Sequence, residues 1–503
     1  VPRGDLVIGV DCSTTAAKAV VWNAHGEALS EARSAFDLAH PRPTWAEQNP
    51  EDWWTATRIA IRRAVQTVDR ERIAALCITH QRETFACLDR SGQPLRPAMI
   101  WADTRATEEV QKYGTPEVHT VTGKPPNPTP AWYKLLWLAA HEPETLAHTA
   151  SVVDVGGFLV NRLTGEFRTS WASADPLGVV DLRTFDYADD LLAVAGLHRD
   201  QFADLVAPGD VVGAVSDEAA RETGLPPGLP VVAGVGDGQS AQLGCGITAP
   251  GTAYLNLGTG IVSGTFSRTY ASDVRFRTLA AGIPGGYTLE TFIGGGTYNI
   301  RWFVEKFAGV NTQMLGLDLS PEQVLEAAAE MLPPGSEGLV ALPYWTGALT
   351  PYWDHHARGA LIGLTGVHGK SHVYRAILES LAFEQRFLTT GAEDALGEKV
   401  SRIVALGGGS RSRIWCQILA DVMQRRVEVV REPESTCLGS GVLAAAAVGI
   451  HPSIEEAADA MTGTARVFEP GGTDVATYDR LYAVYTTIYP ALRELFGAMA
   501  EAT

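Results

Sequence analysis

The 503 residues are 46% apolar and 19% charged and carry a formal net charge of −18, the composition of a soluble globular chain long enough for two or three domains. So acidic a chain has no basic surplus with which to neutralise a nucleic-acid backbone or an anionic membrane. A nucleotide ligand stays admissible, because backbone N–H groups and Mg²⁺ can hold phosphates. The six cysteines, at 12, 77, 87, 245, 416 and 437, make no C-x-x-C pair, so buried thiols are expected and a zinc site is not. The N-terminus does not read as a signal peptide and no apolar run is of membrane length, so the chain reads as cytoplasmic.

In chain order, Leu6–Val10 is a short apolar run followed by Asp11-Cys12-Ser13-Thr14-Thr15 and a second apolar run, Ala16–Trp22: strand, hydroxyl-rich turn, strand. Such a turn offers phosphate oxygens both backbone and side-chain donors, although an ordinary hairpin turn looks the same. Asn49-Pro50-Glu51-Asp52 is a helix start, and Trp54, Ile61, Val65 and Val68 recur at helical spacing. Ala74–Thr79 is a buried strand that ends on His80-Gln81-Arg82-Glu83-Thr84. Trp101-Ala102-Asp103-Thr104-Arg105 follows Ala98–Ile100 in the same manner. A tryptophan beside Asp, Arg and Glu suits a polyhydroxyl ligand, and salt bridging explains the same residues. Gly123–Pro130 is a rigid loop, and helices are expected over Ala131–His141 and Val152–Leu163. No function is legible in Thr169–Pro230.

The centre of the chain is Val231–Gly246, where an apolar strand meets Gly234-Val235-Gly236, a single carboxylate, Asp237, and then Gly238 and small residues. Asp237 is either a reactive group at a strand's carboxyl end or the cap of the next helix. Beyond it the opening pattern returns: Thr252–Leu257, the turn Gly258-Thr259-Gly260, then Ile261–Phe266. The echo predicts a duplicated architecture with a phosphate site between the halves. Val404–Leu406 then feeds Gly407-Gly408-Gly409-Ser410 and a helix over Ser412–Met423, a place where a flat ring or phosphate can approach the backbone. A small-residue helix follows over Ser435–Val448. Gly366–Ser371 lacks a P-loop glycine at Leu364, Gly244–Ala249 lacks a strand before its glycines, and His355-His356 has no third metal ligand.

Together, VIGVDCSTTAAKAVVW, WAEQNPEDWW, GVGDGQSAQLG, YLNLGTGIVSG, TPYWDHHARGALIGLT and ALGGGSRSRIWCQILADV resemble, in order and nearly end to end, the FGGY family of carbohydrate kinases of the actin-like ATPase superfamily. The resemblance implies an α/β fold of two actin-like (ribonuclease H-like) domains facing each other across a cleft, residues 1–246 for the sugar and 247–503 for ATP. It implies an ATP- and Mg²⁺-dependent kinase of a small ketose or polyol, with no nucleic-acid or membrane partner, and it is compatible with a homodimer. By carry-over Asp237 is the general base. Asp11 helps hold Mg²⁺, Ser13, Thr14, Thr15, Gly258, Thr259 and Gly260 surround the phosphates, and Gly408, Gly409 and Arg413 lie near the adenine. Arg82, Glu83, Trp101 and Asp103, with Asp237, match substrate-side positions.

Substrate signals conflict. Arg82-Glu83 resembles the glycerol kinases of the family, yet Gly238 stands where they have glutamine and Thr129 roughly where they have tyrosine. Ser13 replaces a common glycine, as in some xylulose kinases. Both short residues, Gly238 and Thr129, predict an enlarged pocket and a pentulose such as D-xylulose ahead of glycerol. An actin- or chaperone-like switch ATPase is the alternative of another class, and it needs no such pocket.

Overall fold

A computed structural model describes residues 4–310, 318–471 and 475–502. The first half builds a six-stranded sheet from β1 (Leu6–Cys12), β2 (Ala16–Asn23), β3 (Ala28–Ala35), β4 (Ile73–His80), β5 (Val211–Ala214) and β6 (Pro230–Val232), in the order β5-β6-β4-β1-β2-β3. The second half builds a seven-stranded sheet from β7 (Thr252–Leu257), β8 (Ile261–Ser267), β9 (Arg277–Ala280), β10 (Tyr287–Ile293), β11 (Arg402–Leu406), β12 (Arg426–Val430) and β13 (Thr464–Phe468), in the order β9-β10-β8-β7-β11-β12-β13.

The two sheets share one plan. In β3-β2-β1-β4-β6-β5 and in β10-β8-β7-β11-β12-β13, only the two central junctions, β1-β4-β6 and β7-β11-β12, are parallel. The duplication expected from the two turns is therefore present in strand order and direction, in a mixed α/β fold.

Helix α1 (Pro50–Ala64) begins as its sequence dictates: the Asn49 side chain accepts from Glu51 N at 3.2 Å, Pro50 opens the first turn, and Glu51 and Asp52 sit at the positive end of the dipole. Helix α2 (Ala131–His141) is apolar on nearly all sides and correspondingly buried. The helix expected over Val152–Leu163 is shorter. Ser151–Asp154 is a strand paired with Phe85–Leu88, and α3 runs over Val155–Thr164 with Asp154 accepting from Gly157 N at 2.9 Å. The β-branched Val152-Val153 pair suits that buried pleat, and the Asp after it caps the helix. All six cysteines are free and buried.

Helices α4 (Asp237–Gly244), α5 (Arg413–Met423) and α6 (Ser435–Ala447) complete the frame of the site. Although α6 belongs to the second half, it packs on α4, β1 and β4 of the first. Leu438, Val442 and Leu443 share one apolar core with Val7, Val20 and Trp22. Small residues make the crossing of α4 and α6 close: a Cβ on Gly439 would stand 1.9 Å from the Ser240 carbonyl oxygen, backbone against backbone. The Ser240 hydroxyl donates to Thr436 O at 2.7 Å across the same seam. Gly439→Ala is therefore expected to force the two helices apart and cost about 1–3 kcal/mol. Chemical denaturation checks it, and an alanine variant as stable as the wild type would show that the seam is slack.

Candidate active site

Because β1, β4 and β6 run parallel, their carboxyl ends bring Asp11, His80–Arg82 and Gly236–Asp237 to one edge of the sheet, and a bridge between His80 and Gly236 carries the pairing up to the base of Asp237. Asp237 is the first residue of α4, not its cap: Gly236 holds that place and brings no side-chain bond. Arg82 Nε donates to Asp237 Oδ1 at 2.6 Å and Gly238 N donates to the same oxygen at 2.7 Å. Asp237 is 40% exposed, and its Oδ2 has no partner among the described residues. One oxygen is thus anchored while the other faces the solvent, which suits a base that must hold its orientation and still reach a proton.

Arg82 is the hub of a buried ionic cluster that joins the two halves. Its Nη1 donates to Glu290 Oε2 at 2.6 Å, and Glu290, fully buried on β10, also accepts from Arg277 Nη2 at 2.6 Å and from the Tyr254 hydroxyl at 3.0 Å. Arg277 in turn pairs with Glu83, which takes a left-handed backbone conformation at φ 53°. Burial pushes the Glu290 carboxyl up, but Arg277 and Arg82 more than offset this and hold it down at about 2. Glu290, Arg277 and Tyr254 were not singled out by the sequence; the only signal was a carboxylate in the strand YTLETFI.

Asp11 has a sealed oxygen, Oδ1, with no hydrogen-bond partner. Burial, then the nearby Asp237 and Glu434, push its carboxyl up to about 8 against the opposing effect of Lys18, which pairs with Glu434 at 2.7 Å. Lys18 is spent on Glu434, so Asp11 has no cation of its own among the described residues. Among the described residues no group of three or more His, Cys, Asp or Glu side chains forms a metal cage. Mg²⁺ needs none, since it binds through one or two carboxylates plus phosphate oxygens and waters. The residues present therefore fit Mg²⁺ beside Asp11.

The first turn is held by a chain of polar contacts. Gln48 donates to Thr14 O and accepts from Gln81 Nε2 at 2.7 Å and Trp53 Nε1 at 2.9 Å, so the WAEQNP segment supports this turn. Trp101, 42% exposed, donates from Nε1 to Thr14 Oγ1 at 2.9 Å and so joins the Trp101–Arg105 loop to the turn. Ser13 differs from the expectation. Both its N–H, at 3.0 Å, and its hydroxyl, at 2.9 Å, turn inward to Ala16 O, so it closes the turn and has no donor left for phosphate. Thr14 keeps its hydroxyl proton, and Thr15 is exposed.

Asp103 is a second correction. It has no exposed surface, and its two oxygens accept from Ala46 N at 2.7 Å, Arg105 N at 3.1 Å and Arg105 Nη2 at 2.6 Å. Arg105 also pairs with Glu47 at 2.7 Å and lies over the Trp45 ring at 3.5 Å. Asp103 anchors the loop behind Trp101, with both oxygens spent on protein donors. A third correction concerns Gly238: a Cβ there would meet Glu290 Oε2 at 2.6 Å and Arg82 Nη1 at 2.8 Å. The volume of the missing side chain is taken by the ionic cluster, so Gly238 does not widen the pocket. Thr129 is part-buried, with its hydroxyl turned to Asn127 Oδ1.

In the second half, parallel β7 and β11 bring Gly258–Gly260 and Gly407–Gly409 to one edge in the same way. Gly258 O accepts from Thr297 N at 2.9 Å and Thr259 O from Gly296 N at 2.7 Å, while the N–H groups of Gly258, Thr259 and Gly260 make no turn or loop hydrogen bond among the described residues. Carbonyls tied back and amides left free make an anion-accepting turn. A Cβ on Gly408 would meet nothing within 4 Å, whereas one on Gly409 would stand 2.4 Å from the Trp415 ring. Gly408 is thus the open face of the glycine run and Gly409 its packed face. Arg413, exposed, begins α5 beside them.

Comparison with known proteins bears on this arrangement. The model of the FGGY family of carbohydrate kinases, N-terminal domain, matches residues 6–244, and that of the C-terminal domain matches residues 253–448. The chain belongs to the FGGY family of carbohydrate kinases. Over 98% of both chains this FGGY kinase is 29% identical to the xylulose kinase of Bacillus subtilis (strain 168) and 27% identical to that organism's gluconokinase. It is 30% identical to the glycerol kinase of Thermococcus gammatolerans over 95% of both. Among solved structures, the xylulose kinase from Rhodospirillum rubrum superposes with a TM-score of 0.89 at 30% identity, over 98% of this chain and all of that one. The FGGY kinase is thus an ATP-dependent sugar or polyol kinase with the family's two-domain fold, and among the described residues no helix is long and apolar enough to cross a membrane.

Proposed function

We propose that this FGGY kinase phosphorylates a neutral pentulose such as D-xylulose, with Asp237 as the general base. The observation that carries the choice is the charge of the cluster around Asp237. Two cations, Arg82 and Arg277, are matched there against three carboxylates, Asp237, Glu83 and Glu290. Lys124, Lys134 and Arg105 are likewise committed, to Asp175, to main-chain carbonyls and to Asp103 with Glu47. A sugar acid such as gluconate would bring its carboxylate to a site with surplus negative charge and, among the described residues, no cation left unengaged, at the cost of a desolvated like-charge contact. Hydroxyl groups meet no such penalty. Against glycerol, the Arg82 and Glu83 side chains that pointed to a triol in the sequence are drawn into bonds with Glu290 and Arg277, while Trp101 presents a broad exposed face to a longer chain.

In the proposed reaction the sugar lies against the first half, at Trp101, Arg82 and Asp237, and ATP against the second, at Gly258–Gly260 and Gly408–Gly409. Asp237 Oδ2 takes the proton of the attacking hydroxyl while Arg82 keeps the carboxylate aimed. Asp11, beside the phosphates, would hold Mg²⁺, which supplies charge stabilisation for phosphoryl transfer. Thr14, Thr15 and the free amides of Gly258, Thr259 and Gly260 orient the transferred group. ADP release measured on D-xylulose, D-ribulose, L-ribulose, L-xylulose, glycerol and gluconate tests the reading. kcat/KM for a pentulose is expected to exceed both glycerol and gluconate at least about tenfold, equivalent to about 1.4 kcal/mol of discrimination. A preference for gluconate would overturn the charge argument, and one for glycerol would overturn the reading of Trp101 as a face for a longer chain.

A further inference from the structure

Helix α2 carries one charge in an otherwise apolar run, AWYKLLWLAA, and that charge, Lys134, has no exposed surface. A buried ammonium normally demands a carboxylate partner. Lys134 has none among the described residues: its Nζ donates to three main-chain carbonyls, those of Thr129 at 2.7 Å, Ile100 at 2.8 Å and Glu83 at 3.2 Å. An ammonium has three N–H donors, and here each meets one acceptor. The three acceptors belong to three separate loops, and two of these loops carry a residue of the proposed sugar side. Glu83 follows Arg82, the residue that aims Asp237. Ile100 precedes Trp101. Thr129 lies at the end of the rigid Gly123–Pro130 loop. The backbone at Glu83 is in the left-handed region, which a non-glycine residue holds only when its surroundings insist, and Lys134 grips the carbonyl of that residue while Arg277 grips its carboxylate.

From this geometry we propose that Lys134 is the positioning residue of the acceptor pocket: one buried ammonium that sets three loops at fixed distances from a common point. It touches no substrate and acts through Arg82 and Trp101. Its cost is real. Burial pulls its pKa down to about 7, opposed by Glu83 and Asp103 and reinforced by Arg105. A side chain placed there only to fill the core would be better served by leucine or methionine. The inference rests on the proposed acceptor site but not on which sugar occupies it.

Lys134→Met keeps the length and removes all three donors. On whichever substrate of the panel the wild-type protein turns over fastest, it is expected to lower acceptor kcat/KM about 10- to 100-fold, the scale of a small misplacement of positioning groups. The KM for ATP should stay unchanged, since Gly258–Gly260 and Gly408–Gly409 lie on the other sheet. Lys134→Gln, whose amide offers two N–H groups, should recover part of the loss, and it replaces the methionine variant should that one fail to fold. An unchanged acceptor kcat/KM in a folded variant would overturn the proposal. So would equal losses for acceptor and ATP accompanying a fall in stability, because that pattern marks a purely structural lysine. A wrong sugar in the proposed function leaves the test intact, since the comparison is made on the substrate actually used.

Discussion

Asp237→Asn is expected to lower kcat about 10²- to 10⁴-fold at saturating sugar and ATP, the usual contribution of a general base, or about 3–5.5 kcal/mol of barrier. The sugar KM and the melting temperature should barely move. An asparagine oxygen can still accept from Arg82 Nε and Gly238 N, which hold Oδ1 at 2.6 Å and 2.7 Å, so the site keeps its shape. What it loses is the unpaired Oδ2 as a proton acceptor. Because Gly236, and not Asp237, is the cap residue of α4, no helix-cap energy is at stake either. Steady-state kinetics on a variant shown to be folded decide the matter, and a kcat near that of the wild type would remove Asp237 from the chemistry.

Asp103→Ala should act on stability instead. Removing one partner of a buried, hydrogen-bonded ion pair typically costs about 3–5 kcal/mol. Here it would strand the Ala46 N–H and leave Arg105 with Glu47 alone. Denaturant titration measures the loss, and initial rates well below the transition should show a sugar KM little changed. A large rise in sugar KM with unaltered stability would reverse this assignment and return Asp103 to the substrate side, where its sequence neighbours had suggested it.

The two aspartates show how far a sequence can be read. Asp237 sits between glycines at the end of an apolar strand, and three parallel strands must end together, so its exposure at the sheet edge follows from the local pattern. Asp103 lies in a motif of the same polar character, Trp-Ala-Asp-Thr-Arg, yet faces inward. Its neighbour Arg105 allows a salt bridge but does not require one; what turns Asp103 inward are Ala46 and, through Arg105, Glu47, from a segment more than fifty positions earlier. Gly238 makes the same point about volume: a missing side chain predicts space only if nothing else fills it, and Glu290 arrives from another sheet to do so. Lys134 reads as an ordinary helix lysine until the three carbonyls around it are seen.

What the sequence determined by itself was most of the elements that frame the site and the kind of chemistry. Short-range physics governs both: strand and helix periodicity, capping at Asn49, glycine turns where phosphates can approach, and one carboxylate at a strand end. The family and its sugar- or polyol-kinase activity followed from such motifs in order. The tertiary structure decided which polar groups are free and which are spent. The cluster Asp237–Arg82–Glu290–Arg277–Glu83 joins residues that follow β4 and β6 to residues on β9 and β10, and so spans both halves of the chain. Ionic and hydrogen-bond pairing at contact distance depends on positions in space, and residues up to 208 apart along the chain carry no mark of it in their neighbours.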